Sequence, residues 1–454
     1  MKNYFSDPRK VGHPLGWFLC ALLACASAHA EEGSIAADVS TTERKLEFSG
    51  FGTLGLTHHN NHSVGVISSF GQAYPANSGL SENLDSVLGA QLNWQVGDAT
   101  SFVLQAAGRA GEGMKPEIRM GYVRQQFGQD LSVRVGRFRS ALFFDADVTE
   151  IGYANLTARK PLPVYWISNN VPAIDGIDVQ WHHTTGNAGW LLDVYAGEGS
   201  AKQNWPLIKG KTQLHDISGI SLTYMLSNLS LRASRTWVGK YAVRSSQQVD
   251  QLNANLSQAA GGLALLATTP ALPAPLRAQL ASKASEIASY TSPFDNQPIY
   301  TSIGFNANFN NWSVMGGWVG FDSQSAMIGK YNSYSITVGH SIGNVTPYIE
   351  FARQRRSDPI FNTNALNPTG LHPQLDAGLA QLQGLLSEAA QFADFSMQSA
   401  SVGARWDIQK NMALKLQYDR IKTPSPYRSA GFATNTLPIK NKVNLVSVVL
   451  DFVF

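Results

Sequence analysis

The chain has 454 residues, of which 15% are charged and 10% aromatic, with 40 glycines and a formal net charge of +3. A low charge content together with a mean hydropathy of -0.13 is unusual for a soluble protein of this size. The small net charge predicts no nucleic-acid partner. No stretch after the N-terminal region reaches the ~20 continuous apolar residues of a membrane helix. A barrel with a wet interior explains this composition, because half of each strand faces water and half faces lipid.

Residues 1–30 have the pattern of a cleaved secretory signal peptide. A basic start precedes a short apolar stretch, and Ala28-His29-Ala30 supplies a small-x-small cleavage site. Cleavage after Ala30 removes both cysteines, so the exported chain is expected to form no disulfide. Leu22-Leu23-Ala24-Cys25 also resembles a lipobox, which leaves lipidation as an alternative. Residues 31–44 are expected to form an N-terminal periplasmic segment before a barrel at 45–454.

Sixteen segments alternate apolar and polar residues between turn-forming residues, which predicts strands. They lie near 45–57, 85–97, 100–111, 116–127, 130–140, 173–184, 187–198, 214–227, 229–241, 298–309, 311–322, 330–342, 345–356, 397–408, 411–422 and 442–454. Tight turns such as Gly128-Gln129-Asp130 alternate with longer loops, as in outer-membrane barrels. The sequence therefore predicts an all-β fold: a closed antiparallel transmembrane β-barrel of about 16 strands, with short periplasmic turns and long outer loops.

Two of the outer loops, near 245–297 and 358–396, carry helical patterns. In the second, Leu375, Leu379 and Leu382 recur at spacings of four and three residues, which is typical of an amphipathic helix. Two roles are open for these insertions. They could pack together as a cap that stabilises the barrel rim, or they could narrow the entrance.

The last strand shows the alternation most clearly. Every second residue is large and apolar: Val446, Val448, Leu450, Phe452 and Phe454. Ser447 and Asp451 fall on the other face, so the strand is expected to lie between hydrocarbon and water. A strand edge without a partner would expose unpaired backbone groups. Pairing with the first strand would close the barrel.

Several segments resemble the Gram-negative outer-membrane porins across the whole mature chain. They are Phe48-Ser49-Gly50-Phe51-Gly52-Thr53, Tyr122-Val123-Arg124, residues 133–139, residues 175–178 and the terminal Phe454. The pattern is closer to the less-studied porin-like families than to the general diffusion porins, and the helical insertions depart from the latter. The resemblance implies a channel in the cell outer membrane for passive diffusion of small hydrophilic solutes. It also implies a homotrimer, contacts with outer-membrane lipids and lipopolysaccharide, and insertion by the barrel-assembly machinery through the strand ending in Phe454.

In that family the third outer loop folds into the barrel and narrows it. The third long connection of this chain, roughly 141–172, carries three acids: Asp145, Asp147 and Glu150. Strand parity directs three arginines into the lumen: Arg109, Arg119 and Arg134. Acids on an inward loop facing arginines on the wall would set a field across a narrow passage, and such charges select solutes. These six residues are the predicted pore constriction. Alternatively, they are lumen charges solvated by channel water, or the loop stays outside.

No catalytic or cofactor-binding pattern is recognisable. The sequence contains no Gly-x-Ser-x-Gly and no Walker A motif. His58, His59 and His62 cluster after the first strand, but they lack companions at metal-binding spacing and are expected to form a solvated loop. We therefore expect no enzyme, no cofactor and no metal site. The open alternatives are a non-conducting receptor or adhesin scaffold, a channel for hydrophobic substrates and a barrel hydrolase.

Overall fold

The computed structural model describes residues 45–454 with short gaps. The gaps are residues 140, 143, 169–172, 206–207, 245–246, 291–296, 326–327, 360–361, 393, 425–430 and 434–438. The predicted signal peptide and the predicted periplasmic segment lie outside the described residues.

Eighteen strands are present in the described part of the chain. Their bounds are β1 Leu46–His59, β2 Gly65–Val66, β3 Val87–Gln95, β4 Thr100–Arg109, β5 Glu117–Phe127, β6 Leu131–Phe138, β7 Ile174–Thr185, β8 Ala188–Trp205, β9 Ile208–Met225, β10 Leu229–Arg244, β11 Ile299–Phe309, β12 Trp312–Asp322, β13 Lys330–His340, β14 Val345–Arg356, β15 Met397–Gln409, β16 Met412–Lys422, β17 Phe432–Ala433 and β18 Lys442–Val453. Sixteen of them form a closed barrel in which neighbours in the chain pair antiparallel and β1 pairs with β18. β2 and β17 form a separate two-stranded sheet. The predicted fold class is confirmed.

The barrel strands place apolar side chains outward and polar ones inward. In β14, Ile349 and Phe351 are exposed on the outer face, whereas Tyr348 and Glu350 are buried toward the lumen. The same alternation in β16 and β18 leaves outward side chains such as Leu416, Tyr418, Val446 and Val448 exposed, so they form an apolar belt. An apolar belt around a polar interior suits a strand between lipid and water. This surface supports the predicted location in an outer membrane.

The first and last barrel strands meet at a seam closed by the terminal residue. Gly50 N donates to Phe454 O at 2.8 Å, and Phe454 N donates to Gly50 O at 3.0 Å. The aromatic ring of Phe454 lies over Gly50, where an added Cβ would fall 2.1 Å from a ring carbon. Only glycine allows the ring to cover this stretch of backbone.

The described residues contain four α-helices, which lie in the connections between strands and are not part of the barrel wall. They are α1 Leu162–Ser168, α2 Gln247–Ala267, α3 Ala274–Ser289 and α4 Pro373–Phe392. Short 3₁₀ turns span 110–112, 146–148, 152–154 and 364–366. α2 packs on α3 and on α4 at the long-loop end, and α3 and α4 both contact the turn at 364–366; the buried side chains include Leu263, Ile287 and Leu386. The helical insertions therefore share an apolar core, as expected for a cap.

No helix in the described residues combines the length and apolar content needed to cross a membrane.

The long-loop end of the lumen contains packed aromatic rings. Phe70 lies 4.7 Å from Trp166 and 4.9 Å from Phe395, measured between ring centroids. Phe395 in turn lies 5.7 Å from Tyr331 on β13. All four side chains are buried. This aromatic row joins the loop after β1, the loop before β7 and the barrel wall.

Candidate pore constriction

The loop between β6 and β7 covers residues 139–173, and we call it the inner loop. Its described residues lie inside the barrel. Near its start, Leu142 O accepts a hydrogen bond of 2.8 Å from Ser302 Oγ on β11. Further along, Glu150 contacts Arg109 on β4. β4 and β11 are seven strands apart in a ring of sixteen. The inner loop therefore crosses the lumen from one wall to nearly the opposite one.

The middle of the inner loop is fixed by its backbone. Lys415 Nζ on β16 donates to the carbonyl oxygens of Gly152 and Thr157, at 2.9 and 3.1 Å. Arg405 on β15 donates in the same way to the carbonyl oxygens of Tyr153 and Asn155, at 2.8 and 3.0 Å. Gly152 O also accepts from Asn155 N at 2.9 Å. For the other three carbonyl groups the wall cations supply a hydrogen bond within a confined site. The wall cations thus hold the path of the loop independently of its side chains.

The side chain of Arg159 attaches the inner loop to the barrel wall. Its guanidinium donates twice to the Asp85 carboxylate, at 2.8 and 2.7 Å, and also contacts Asp419 on β16 and Ser447 on β18. Burial alone would lower the pKa of Arg159, but the two carboxylates outweigh it and leave the pKa raised. We call this group the Arg159 clamp. It ties the loop to strands near both ends of the chain.

A second charged group is centred on Glu150. Its carboxylate lies 2.7 Å from Arg109 Nη2, 2.5 Å from Arg139 Nη2 and 3.9 Å from Arg119 Nε. Burial alone would raise the pKa of Glu150, but the guanidiniums of Arg109, Arg139 and Arg119 hold it below its usual range. Arg119 also pairs with Glu112 at 3.2 Å. The Glu150 carboxylate is therefore a fixed negative charge among three cations.

Local backbone geometry directs these arginines inward. Arg119 lies opposite a register shift between Gln105 and Ala106, and the extra residue of such a bulge turns its side chain toward the lumen. Arg109 is the last residue of β4, on the same face as the buried Gln105. Arg139 follows the end of β6, so strand alternation no longer governs its direction. Bulges and strand ends, rather than regular strand, position the cluster.

The structure brings together three of the six predicted constriction residues: Arg109, Arg119 and Glu150. Arg134 instead pairs with Asp178 on the neighbouring strand, at 2.7 Å. Asp145 contacts Lys160 and Tyr165 within the inner loop. The side chain of Asp147 lies outside the described residues. Glu150 also differs from the expected arrangement, because it touches its arginines directly and is not separated from them by an open gap.

Two functional side chains were not singled out from the sequence. If the alternation of β6 continued, Arg139 would face the lipid. However, β6 ends at Phe138, so the alternation does not determine the direction of Arg139. Arg159 sits in a loop without periodicity, and its partners lie 74 and 260 residues away. The only available signal was the pair of basic residues Arg159-Lys160 between acids and prolines.

A cavity of about 410 Å³ opens beside the Glu150 cluster. Six cationic side chains line it: Arg109, Arg119, Arg137, Arg139, Lys202 and Lys211. Four acidic side chains accompany them: Glu112, Glu117, Glu150 and Asp175. The lining therefore carries a formal excess of two positive charges. Several of these groups form ion pairs, including Arg137 with Asp175 at 2.7 Å and Lys202 with Glu117.

The prediction that His58, His59 and His62 form a solvated loop after the first strand is wrong for the first two, because β1 continues through His59. His59 is buried and its ring Nε2 is bonded to Ala76 O at 2.9 Å, whereas His62 Nδ1 is bonded to Ser78 Oγ at 2.7 Å. His58 is exposed on the outer face. Among the residues that the structure describes, no group of three or more His, Cys, Asp or Glu side chains is arranged to hold a metal ion.

No protein-family model matches the chain, and no curated protein matches it. Solved structures do. The anion-selective porin from Comamonas acidovorans is 14% identical, with 91% of this chain and 100% of that chain covered and a TM-score of 0.49. The outer membrane channel DcaP of Acinetobacter baumannii is 12% identical, with 92% and 100% covered and a TM-score of 0.46. Outer-membrane expressed OmpT of Vibrio cholerae is 8% identical, with 92% and 99% covered and a TM-score of 0.48. The similar structures include porins, the family that the sequence resembles. The fold assignment rests on the strand order and register of this chain.

Proposed function

We propose that this protein lets small hydrophilic solutes diffuse passively across the outer membrane and favours anions. The observation that carries the proposal is the charged cavity beside the inner loop, with six cations against four acids. No bond chemistry is part of the proposal. The closed barrel supplies the polar passage, and the inner loop restricts its width.

The fixed charges act on solutes at short range. Free charges in a wide lumen are screened by salt over about 8–10 Å. A solute in the cavity beside the Glu150 cluster passes much closer than that to the guanidiniums of Arg109 and Arg119, which line the cavity. Because Glu150 is buried and neutralises part of this charge, the remaining preference for anions is expected to be moderate.

Single-channel recording in planar bilayers tests this proposal. With a potassium chloride gradient, the reversal potential of the wild-type protein should have the sign of an anion-preferring pore. Arg119→Ala should shift it toward cation preference, and Glu112→Gln should shift it the other way. Arg235→Ala is the matched control, because Arg235 is exposed on the outer face of β10 and should leave selectivity unchanged. Equal reversal potentials in all four proteins would contradict the assignment.

A non-conducting receptor or adhesin scaffold is a second candidate, and one observation favours it. The aromatic row from Tyr331 through Phe395 and Phe70 to Trp166 packs across part of the lumen. A barrel closed at this level would present its outer loops as a binding surface. Absence of ion current from folded, purified protein would favour this candidate over the channel.

The remaining expectations from the porin resemblance are part of the same proposal. We expect a homotrimer, which native mass spectrometry of the detergent-solubilised protein would detect as a threefold mass. We also expect insertion by the barrel-assembly machinery through the strand that ends in Phe454. Deletion of that residue should reduce the amount of folded barrel in the membrane.

A further inference from the structure

The barrel wall has a notch at its long-loop end, where β6 and β7 are shorter than the strands beside them. β6 ends at Phe138, which pairs with Ile174 at the start of β7. On one side, β8 continues past its last pairing with β7, at Gly199, and runs to Trp205 paired with β9. On the other side, β5 begins at Glu117, beyond its last pairing with β6. β5 and β8 are three positions apart in the ring, so the notch is about 14 Å wide at the usual strand spacing.

The loop after β1 closes the notch from above. Ala73 N and Tyr74 N both donate to Gly111 O, in the turn that follows β4, at 2.9 Å. Asn204 N on β8 donates to Phe70 O at 2.7 Å. The segment 70–74 therefore bridges from the end of β4 to β8 and passes over β5, β6 and β7. The notch becomes an opening that protein frames on all four sides, and we call it the side window.

The cavity of about 410 Å³ beside the Glu150 cluster lies in the side window. Its lining includes Arg119 and Glu150, which belong to the lumen. The same lining includes Arg137, Asp175 and Lys202, whose exposed side chains lie on the outer face of the strands. One cavity thus contacts both faces of the barrel wall, and it connects the charge cluster with the outside.

Ion pairs run through the side window from the buried cluster to the exposed surface. Glu150 lies 3.9 Å from Arg119 Nε, and Arg119 Nη1 lies 3.3 Å from Glu117. Glu117 in turn contacts Lys202 on the outer part of β8. Lys202 lies directly opposite Lys211 on β9, and like charges in this position repel each other. An anion that enters the window would meet positive charge at its outer edge and again at the cluster.

The level of the side window favours hydrophilic solutes. The outward residues at its lower edge are the ion pair Arg137 and Asp175. The next outward residues below them are Val135 and Ile177, both exposed and apolar. The apolar belt therefore ends beneath the window, which opens into the polar zone above the hydrocarbon.

The lumen is obstructed on the side away from the window. The aromatic row continues from Tyr331 to Phe321, at 6.4 Å between ring centroids, and from Phe321 to Tyr300, at 4.7 Å. All of these side chains are buried. In the part of the chain that the structure describes, packed rings thus occupy the lumen beside β11, β12 and β13, whereas the charged cavity lies beside β5 and β8.

We propose that anionic solutes enter the passage from the side, through the side window, and reach the Glu150 cluster beneath the loop after β1. This inference rests on the proposed function, because it gives the route by which solutes reach the charged cavity. Lys202 and Lys211 attract the anion at the outer edge, and Arg119 receives it inside. The helical cap then covers the barrel without being the entrance.

The test attaches a bulky group at the side window through a reversible disulfide. The sequence has cysteines only at 20 and 25, within the predicted signal peptide, so one introduced cysteine supplies the thiol. Ser200→Cys on β8 and Ile118→Cys on β5 place it at the two sides of the window, because both residues line the cavity. Leu265→Cys is the control, on the exposed surface of the helical cap. Each full-length protein reacts with a methanethiosulfonate that carries a polyethylene glycol chain.

Single-channel currents are recorded before labelling, after labelling and after reduction of the disulfide. Labelled Ser200→Cys and Ile118→Cys should lose most of their chloride current and regain it on reduction, whereas labelled Leu265→Cys should conduct like the wild type. The current before labelling shows that each variant is a folded channel. Undiminished current in both labelled window variants, or an equal loss in labelled Leu265→Cys, would overturn the side entrance and leave solute diffusion in place. Absence of current from the unlabelled wild type would overturn both.

Discussion

Replacement of Arg159 by alanine tests whether the inner loop is held in place by the Arg159 clamp. The side chains of Arg159, Asp85 and Asp419 are only 9%, 3% and 6% exposed. Removing one partner of a buried ion pair typically costs about 3–5 kcal/mol, because the other charge is left buried and uncompensated. Two carboxylates would be left here. We therefore expect the part of the inner loop around Arg159 to leave the wall in Arg159→Ala, while Lys415 and Arg405 still hold residues 152–157. The variant should have a larger single-channel conductance and a lower unfolding temperature.

The matched control is Arg137→Ala. Arg137 and Asp175 form a bidentate pair of similar geometry, but their side chains are 39% and 54% exposed. Exposed pairs contribute about 0–1 kcal/mol, so this variant should melt almost like the wild type and keep the inner loop in place. Adding Asp85→Asn and Asp419→Asn to Arg159→Ala should restore much of the stability without restoring the attachment. Conductance and melting of Arg159→Ala that equal those of Arg137→Ala would refute the clamp.

Three further predictions address the seam, the cap and the charge cluster. Gly50→Val should lower the free energy of unfolding by about 1–3 kcal/mol, because the added side chain displaces the ring of Phe454. Gly97→Ala is the control, because a Cβ at this position meets no atom within 4 Å, and it should leave the stability unchanged. Thermal melting compares the two variants. Leu263 is fully buried in the helical cap, so Leu263→Ala should destabilise the cap by about 2–5 kcal/mol and increase its rate of proteolysis. Leu265→Ala is the control, because the Leu265 side chain is 73% exposed, and it should have neither effect. The pKa of Glu150 is lower in the folded protein than in the unfolded chain. The stability that the ionised carboxylate contributes is therefore complete above the ordinary carboxyl pKa, and it is lost only when the pH falls through the lowered pKa of the folded protein. The contribution of Glu150 to the reversal potential, measured as the difference between the wild type and Glu150→Gln, should therefore stay constant between pH 8 and about pH 5. A difference that changes within that window would contradict this assignment.

The strand pattern was predictable because lipid and water impose it residue by residue. Each of the sixteen barrel strands overlaps a predicted segment, and the alternation in β14 and β18 places their side chains on the expected faces. The outer halves of β8 and β9 were missed. Residues 199–213 have no clear alternation, and these strands are extended by pairing with each other. Strand ends beyond the membrane are set by such pairing, which single-strand periodicity does not encode.

Strand parity predicts which face of the barrel a charged side chain lies on, but it does not predict the residue with which that side chain pairs. Parity placed Arg134 on the lumen side, but its partner Asp178 could not be chosen without the strand register. Parity also placed Arg119 on the lumen side, where it lies, but the bulge beside it could not be read from the sequence. Arg159 meets Asp85, Asp419 and Ser447 only after the barrel closes, so no local pattern could identify it.

The Arg159 clamp has a consequence for any attempt to convert this barrel into a wider nanopore. Shortening the inner loop is the direct way to enlarge the passage. However, Asp85 precedes β3, Asp419 lies on β16 and Ser447 lies on β18, so the same guanidinium joins the wall on both sides of the β1 seam from within. A shortened loop would leave two buried carboxylates facing each other across the place where the ring closes. An engineered wide pore would need neutral residues at both positions before the loop is removed.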